Sequence, residues 1–198
     1  MITFVLILSV FFILPSFSRN LPLMFVVAVV ISVGIAYMVY YLKGKHIEFI
    51  NREKSLKKGI KAEEDVGKVL MSLDSGRFSV YRNVEVKEGD KVFDLDYVVV
   101  DRQKGIGYFI DVKSYSGSIY VDSEGFMYIN GQKRNFKPGQ TLLRFRSLFK
   151  RDKNRLLEFG IRKYMLVVVF PYSRSVRSEG SGSVSYMTLD EFLSYVVR

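Results

Sequence analysis

The sequence contains no cysteine, which excludes disulfides, thiolate metal sites and thiol nucleophiles. It contains one histidine, His46, and this excludes Ser-His-Asp catalysis and zinc sites built from several histidines. Charge is nearly absent from residues 1–42, where Arg19 is the one charged side chain. Any chemistry must therefore use carboxylates, lysines, hydroxyl groups or a hard cation.

Two apolar runs occupy the uncharged region. Residues 21–42 are uninterrupted, and about 20 apolar residues suffice to cross the hydrocarbon core of a bilayer. Residues 2–17 form a shorter run, and the polar residues 18–20 separate the two. The pattern predicts a transmembrane hairpin with spans of about 2–17 and 21–42. A cleavable signal peptide is the alternative for the first run, although it lacks the positively charged start of such signals.

Positive charge lies on one side of these runs. The net charge of +10 belongs almost wholly to residues 43–198, and only Arg19 lies between the runs. Positively charged loops stay in the cytoplasm, so we expect a multi-pass protein of the cell membrane with its C-terminal domain in the cytoplasm. The basic residues after the second run either fix this topology alone or also bind anionic lipid headgroups. They are Lys43, Lys45, Arg52, Lys54, Lys57, Lys58 and Lys61.

The rest of the chain divides into a basic juxtamembrane linker, residues 43–57, and a folded domain, residues 58–198. Hydrophobic periodicity and turn residues predict its elements. The predicted helices are 56–73, 140–159 and 188–197, and the predicted strands are 81–86, 92–101, 106–113, 118–122, 126–130 and 163–170. In the first helix an apolar stripe is formed by Leu56, Ile60, Val66, Leu70 and Leu73. The last helix is opened by a capping box of Thr188 and Glu191. This order predicts an α/β (α+β) domain with a central mixed sheet.

Acidic side chains occur at unusual positions in these elements. Glu63 falls on the apolar stripe of the first helix, between Ile60 and Val66, where a carboxylate is costly unless a partner satisfies it. A structural salt bridge and a role in a site are both open interpretations. On the predicted strands, side chains alternate between faces, so Asp111 and Lys113 share one face.

The predicted hairpin brings two of these acids together. If the turn is centred between Gln103 and Lys104, Asp96 lies directly opposite Asp111. Like charges in opposite positions destabilise a sheet. A cation bound between them would remove the repulsion, and two carboxylates suit Mg²⁺, which takes oxygen ligands and keeps several waters.

Five fragments, in order, resemble the motifs of one family. They are GIKAEEDV at 59–66, FDLDYVVV at 93–100, GIGYFIDVKSYSG at 105–117, PGQ at 138–140 and VVFP at 168–171. The chain resembles the nuclease-related domain (NERD) family, a branch of the PD-(D/E)XK nuclease-like fold. The differences are Ala62 for a glycine, Tyr97 for a histidine, Asp111 for the usual glutamate, and a shortened Pro-Gln element.

The resemblance implies a metal site and its chemistry. Asp96 and Asp111 would be carboxylate ligands of Mg²⁺ or Mn²⁺, and the backbone carbonyl of Val112 would add an oxygen. Glu63 would complete the metal shell or hold a metal-bound water. Lys113 would orient or activate the attacking water and stabilise charge on the scissile phosphate. In the same way, Gln140 would position the substrate or the backbone near the site.

A basic cluster surrounds the start of the second predicted helix. Its members expected to bind nucleic acid are Lys133, Arg134, Lys137, Arg144, Arg146, Lys150 and Arg151. Such a cluster neutralises phosphates, although a solvated helix face is the alternative. No base-reading motif is present, so we expect weak sequence preference, with DNA favoured over RNA.

Three functions remain open at this stage, and the third is a purely lipid-binding module whose affinity for anionic vesicles does not depend on Mg²⁺ or on the spans. The first is a membrane-anchored, Mg²⁺-dependent nuclease, with membrane lipid and nucleic acid as partners. The second is a non-catalytic membrane adaptor whose basic domain binds nucleic acid, anionic lipid or a protein partner. In either case, pairing of the transmembrane segments would allow a homo-oligomer.

Overall fold

The computed structural model describes residues 21–88, 91–151, 153–179 and 182–198. The chain divides into two compact units, residues 1–55 and 56–198. Helix α1, Leu21–Met71, contributes residues to both units. The first predicted span, 2–17, lies outside the described residues.

The first unit consists, in its described part, of helix α1 up to residue 55. By length and composition, α1 is the one helix among the described residues that could cross a membrane. The predicted hairpin is therefore not confirmed, since a single candidate span is found there. Residues 43–57, predicted as a linker, are helical as part of α1.

The second unit contains nine strands and three further helices in its described part. The strands are β1 Phe78–Glu88, β2 Lys91–Asp101, β3 Ile106–Val112, β4 Ser116–Val121, β5 Met127–Ile129, β6 Gln132–Lys133, β7 Lys163–Phe170, β8 Tyr172–Ser178 and β9 Val184–Thr188. The helices are α2 Gln140–Arg151, α3 Lys153–Glu158 and α4 Leu189–Val197. The predicted helix 140–159 is thus found as α2 and α3, on either side of residue 152, which is not described.

The strands form two sheets. The larger has the order β1-β2-β3-β7-β9, and the smaller has the order β6-β5-β4-β8. Neighbours from β1 to β3 are antiparallel, whereas β3, β7 and β9 are parallel. The mixed α+β architecture fits a nuclease-like α/β fold. The prediction of a single central sheet was incomplete, because it missed the smaller sheet as a separate layer and missed the strands β6, β8 and β9.

An apolar layer covers each face of the larger sheet. On one face, α1 and α4 pack against the sheet through Ala62, Val66, Leu70, Phe192 and Val196. On the other face lie α2, α3 and the smaller sheet, through Leu142, Phe145, Leu156, Ile119 and Met127. Two residues predicted to lie on the buried stripe of α1 are instead solvent-exposed, Leu56 by 61% and Ile60 by 55%. The buried stripe of α1 begins at Ala62.

The turn between β2 and β3 is closed by a buried acid. Asp101 Oδ1 accepts hydrogen bonds from the backbone N–H groups of Gln103 and Lys104, each at 3.0 Å. Its Oδ2 pairs with Arg77 at 2.7 Å, and Arg77 also donates to the Val196 carbonyl at 3.2 Å. These contacts tie the turn to the end of α4 and hold the pKa of Asp101 below its usual range, against the effect of burial.

Two local predictions are confirmed by backbone geometry. The β2–β3 register pairs Asp101 with Ile106 and Tyr97 with Ile110, as the predicted turn requires. Helix α4 begins with the predicted capping box, in which Thr188 Oγ1 accepts from the Glu191 N–H and Glu191 Oε2 accepts from the Thr188 N–H. Such reciprocal bonds satisfy two backbone donors that the helix leaves free.

Candidate carboxylate and lysine site

The candidate site lies where β2 and β3 separate. Their ladder ends at the pair Tyr97–Ile110, and the next pair in this register would be Asp96 opposite Asp111. Instead of a backbone bond, the Asp96 carboxylate accepts the backbone N–H of Val112 at 2.6 Å. The two acids therefore lie together at the end of the ladder.

Asp111 and Lys113 form the centre of the site, and Asp111 is the buried member of the pair. Asp111 is 6% exposed, and Lys113 Nζ lies 2.9 Å from its Oδ1 and 2.7 Å from its Oδ2. The contact to Oδ2 is electrostatic, because this buried oxygen has no hydrogen bond within the described part of the chain. Burial raises the pKa of Asp111 to about 6, against the opposing charge of Lys113. The predicted shared face of these two side chains is realised as an ion pair.

Asp96 and Glu63 are half-buried beside this pair. Burial raises the pKa of Asp96, and the Val112 N–H and Lys113 oppose the increase. Burial also raises the pKa of Glu63, and the charge of Asp96 adds to it. Asp96 and Glu63 in turn raise the pKa of Asp111. The three carboxylates therefore form one electrostatic unit. Glu63 makes no ion pair with any described residue, so a structural salt bridge is not supported.

Tyr97 connects Glu63 to the sheet. Its ring is fully buried, and its hydroxyl donates to the backbone carbonyl of Glu63 at 2.8 Å. Helix α1 approaches closely here because residue 67 is glycine: a Cβ at Gly67 would lie 2.3 Å from the Tyr97 hydroxyl oxygen. This contact fixes the turn of α1 that carries Glu63 against the strand that carries Asp96.

The donor atoms of the site fit a hard cation. They are carboxylate oxygens, and oxygens are the ligands that Mg²⁺ takes. The buried Asp111 Oδ2 has a lone pair that no hydrogen bond uses in the described structure. No group of three or more His, Asp or Glu side chains among the described residues is arranged as a cation cage. A cation at Asp96 and Asp111 would therefore have few protein ligands and would keep several waters.

Sequence reasoning missed Arg82, an exposed residue of β1. Arg82 pairs with Tyr97 in the β1–β2 ladder, which places it on the strand next to the one that carries Asp96 and two strands away from Asp111. Its charge opposes the increase in the pKa of Glu63. The sequence carried a weak signal for it, a basic residue in the strand just before the acidic one, but the pairing was not predicted.

The predicted basic cluster is only partly brought together. Lys133 Nζ and Lys137 Nζ lie 4.4 and 4.3 Å from the centre of the Phe126 ring. Arg144 lies over Phe93 instead, 5.8 Å from the centre of its ring. Among the other members, Arg146 donates to the Ser183 hydroxyl, Arg134 and Lys150 are exposed, and the side chain of Arg151 is not described.

Gln140 is exposed at the first residue of α2. Its backbone N–H bonds to the Lys137 carbonyl at 3.2 Å. Its side chain makes no hydrogen bond to any described residue, so its predicted positioning role stays a prediction.

The comparison with known families agrees with this geometry. The sequence matches the nuclease-related domain over residues 58–171, which is more than half of the chain and includes Glu63, Asp96, Asp111 and Lys113. A search of the curated proteins finds no match. The chain therefore belongs to the nuclease-related domain (NERD) family.

Proposed function

We propose that the chain is a membrane-anchored, Mg²⁺- or Mn²⁺-dependent nuclease that hydrolyses phosphodiester bonds with weak sequence preference. The observation that carries this proposal is the buried Asp111 carboxylate, in contact with Lys113 and next to Asp96 at the end of the β2–β3 ladder. Clustered acids that raise one another's pKa are costly to a fold, and such groups concentrate at functional sites.

Each side chain has a distinct role in the proposed reaction. Asp96, Asp111 and the backbone carbonyl of Val112 would hold the cation, which when bound polarises the phosphate and lowers the pKa of a coordinated water. The Lys113 ammonium lies beside these ligands, where it orients the attacking water and stabilises negative charge on the phosphate oxygens. Glu63, at the edge of the site, accepts a hydrogen bond from that water or completes the ligand set.

Lys133 and Lys137 support phosphate binding by the same domain. Neither forms an ion pair with a described residue, and both ammonium groups lie beside the Phe126 ring. Contacts between a lysine and an aromatic ring fix the long side chain without neutralising its charge. Two cations held in this way bind the nucleic-acid backbone, which carries no sequence information. We propose DNA over RNA as the substrate.

Helix α1 supports the proposed membrane anchoring. Its apolar part has the length and composition of a span, and the basic residues that follow it would hold the second unit on the cytoplasmic side. We further propose a second span in residues 2–17, bound lipid headgroups at the basic segment, and pairing of spans as the route to a homo-oligomer.

One observation favours a second function, the non-catalytic adaptor. The Lys113 ammonium already neutralises Asp111 without a cation, because it contacts both carboxylate oxygens. A domain that keeps this pair for stability alone would bind nucleic acid, lipid or protein without cleaving anything.

Cleavage assays on the full chain in detergent micelles separate the two functions. Plasmid, linear DNA and RNA are incubated with Mg²⁺, Mn²⁺ or EDTA, and Asp111→Asn and Lys113→Ala are compared with Lys104→Ala. Lys104 is a matched exposed lysine in the turn at the other end of the hairpin. The nuclease requires metal-dependent cleavage that Lys104→Ala keeps and both site variants lose. Binding without cleavage, unchanged in all three variants, would leave the adaptor.

A further inference from the structure

Arg82 lies on β1 at the level of the site, and its side chain has no described partner. The side chain is exposed, and it makes no ion pair or hydrogen bond with any described residue. In the β1–β2 ladder Arg82 pairs with Tyr97, whose hydroxyl donates to the backbone carbonyl of Glu63 and whose neighbour in β2 is Asp96. An arginine at this level of the sheet whose side chain binds no described residue remains free to bind an anion.

The backbone around Arg82 is irregular at the level of the site. Asn83 has a φ of +50°, in the left-handed region that non-glycine residues rarely adopt. The β1–β2 ladder pairs Arg82 with Tyr97 and Val84 with Leu95, and it omits the intervening Asn83 and Asp96.

The opposite strand, β2, changes face at the same level. Leu95 packs in the layer with α2, whereas Tyr97 packs in the layer with α1, although residues two apart on a regular strand share a face. Irregularities of this kind redirect side chains and cluster next to active sites. Arg82 and Asp96 therefore lie at one interruption of the sheet that affects both strands.

We propose that Arg82 binds a backbone phosphate of the nucleic acid that occupies the carboxylate site, and that the left-handed Asn83 is the positioning residue that directs it there. This inference rests on the proposed function and names a substrate contact within it. A guanidinium group matches two phosphate oxygens with two parallel hydrogen bonds, which a lysine ammonium does not reproduce. Arg82 thus supplies the positive charge that a polyanion needs in order to approach three acids.

The test uses the full chain in detergent micelles and two separate readouts. The first is kcat/KM for cleavage of DNA with Mn²⁺. The second is binding of a fluorescein-labelled DNA oligonucleotide in EDTA, measured over a range of salt concentrations. Arg82→Ala should lower kcat/KM by about tenfold to a hundredfold, the range for a charge-assisted hydrogen bond. It should also make the slope of log K against log salt shallower by about one.

Further variants separate the contribution of the Arg82 charge, the contribution of the backbone geometry at Asn83, and the effect of removing any exposed arginine. Arg82→Lys should keep the salt slope but recover only part of kcat/KM. Asn83→Gly, which tolerates a positive φ, should retain both values, whereas Asn83→Val should lower kcat/KM. Arg162→Ala removes another exposed arginine, beside the turn at the far end of the hairpin, and should behave as wild type.

Each result bears on the inference directly. It is overturned if Arg82→Ala matches wild type in both readouts, or if Arg162→Ala reduces them equally. If wild type cleaves nothing but Arg82→Ala alone flattens the salt slope, hydrolysis is wrong while the phosphate contact stands. If wild type neither cleaves nor binds DNA, both proposals are wrong.

Discussion

The Lys113 ammonium contacts both carboxylate oxygens of Asp111, at 2.9 and 2.7 Å, two residues away on the same strand. Asp111 is buried, and Lys113 is the one cationic group among the described residues that forms an ion pair with it, so an ionised carboxylate there depends on Lys113 for compensation. Removing one partner of a buried ion pair commonly costs about 3–5 kcal/mol, because the other charge is left without compensation. The pair therefore links the electrostatics of the site to the stability of the domain.

Lys113→Ala should raise the pKa of Asp111 above about 6, because the ammonium that opposes the effect of burial is lost. Carboxyl chemical shifts of ¹³C-labelled aspartate, followed through a pH titration, measure this directly. Lys104→Ala should leave the Asp111 titration unchanged. An unchanged pKa in Lys113→Ala would show that the lysine does not compensate the acid.

The stability of the domain should depend on the ionisation of Asp111. Its pKa is raised from 3.8 to about 6, so the folded chain holds this proton more tightly than the unfolded chain does. The contribution of Asp111 to the free energy of unfolding should therefore fall as pH rises from about 4 to about 6. At about 1.36 kcal/mol per pKa unit, the decrease amounts to roughly 3 kcal/mol.

Asp111→Asn should remove most of this decrease, since asparagine does not ionise. The chain has no tryptophan, so near-ultraviolet circular dichroism of tyrosine is a suitable probe of urea unfolding. A variant with the same pH slope as wild type would contradict the assignment of the effect to Asp111.

Divalent cations should stabilise the second unit through the same residues. At a cation concentration about 100 times its Kd, binding to the folded state adds about 2.7 kcal/mol to the free energy of unfolding. We expect Mn²⁺ to raise the melting midpoint of wild type at pH 7 and to have a smaller effect at pH 5, where Asp111 is protonated. Scanning calorimetry measures both. An equal increase in Asp111→Asn would place the cation elsewhere.

Alanine substitutions at two glycines of α1 should change the free energy of unfolding in opposite directions. A Cβ at Gly67 would lie 2.3 Å from the Tyr97 hydroxyl, whereas at Gly59 no atom lies within 4 Å. Gly59→Ala should stabilise the helix by up to about 1 kcal/mol through its higher helix propensity. Gly67→Ala should destabilise the domain by about 1–3 kcal/mol, the cost of overpacking.

Tyr97→Phe gives the control for this prediction. It removes the hydroxyl that the new methyl group would meet, so the double variant Gly67→Ala/Tyr97→Phe should recover part of the loss. Chemical unfolding of the four variants completes a double-mutant cycle. Additive effects at positions 67 and 97 would mean that the contact does not limit the approach of α1.

The two lysines on Phe126 should contribute to DNA binding by charge alone. Lys133→Ala/Lys137→Ala should make the slope of log K against log salt shallower by about two, with no change in sequence preference. The matched pair Lys104→Ala/Lys163→Ala removes two exposed lysines near the β2–β3 turn. Equal effects of the two double variants would show that only net charge matters.

Strand pairing near the site could be predicted because local signals determine it. The turn centred between Gln103 and Lys104 fixed the register, and the two-residue period of a strand placed Asp111 beside Lys113. Strand β7 was also predicted with its observed bounds, because its run of apolar residues is continuous.

Other features depend on tertiary contacts that no local pattern encodes. The left-handed Asn83 interrupts β1 opposite Asp96, and nothing in its neighbours marks it as a turn. Strand β8 is rich in serine and arginine, so it lacks the apolar alternation that identifies a strand. Leu56 and Ile60 have helical spacing but are exposed, since spacing does not reveal what a helix packs against.

The ion pair between Arg77 and Asp101 lies at the opposite end of the β2–β3 hairpin from the carboxylate site. Asp101 lies five residues from Asp96, about 17 Å along an extended strand, and it closes the turn that sets the β2–β3 register. A slip of one residue would turn every side chain to the opposite face. Because the turn at Asp101 sets the β2–β3 register, the residues at the carboxylate end of the hairpin are not needed to keep the two strands aligned. Substitutions there alter the chemistry of the site while the strands stay aligned.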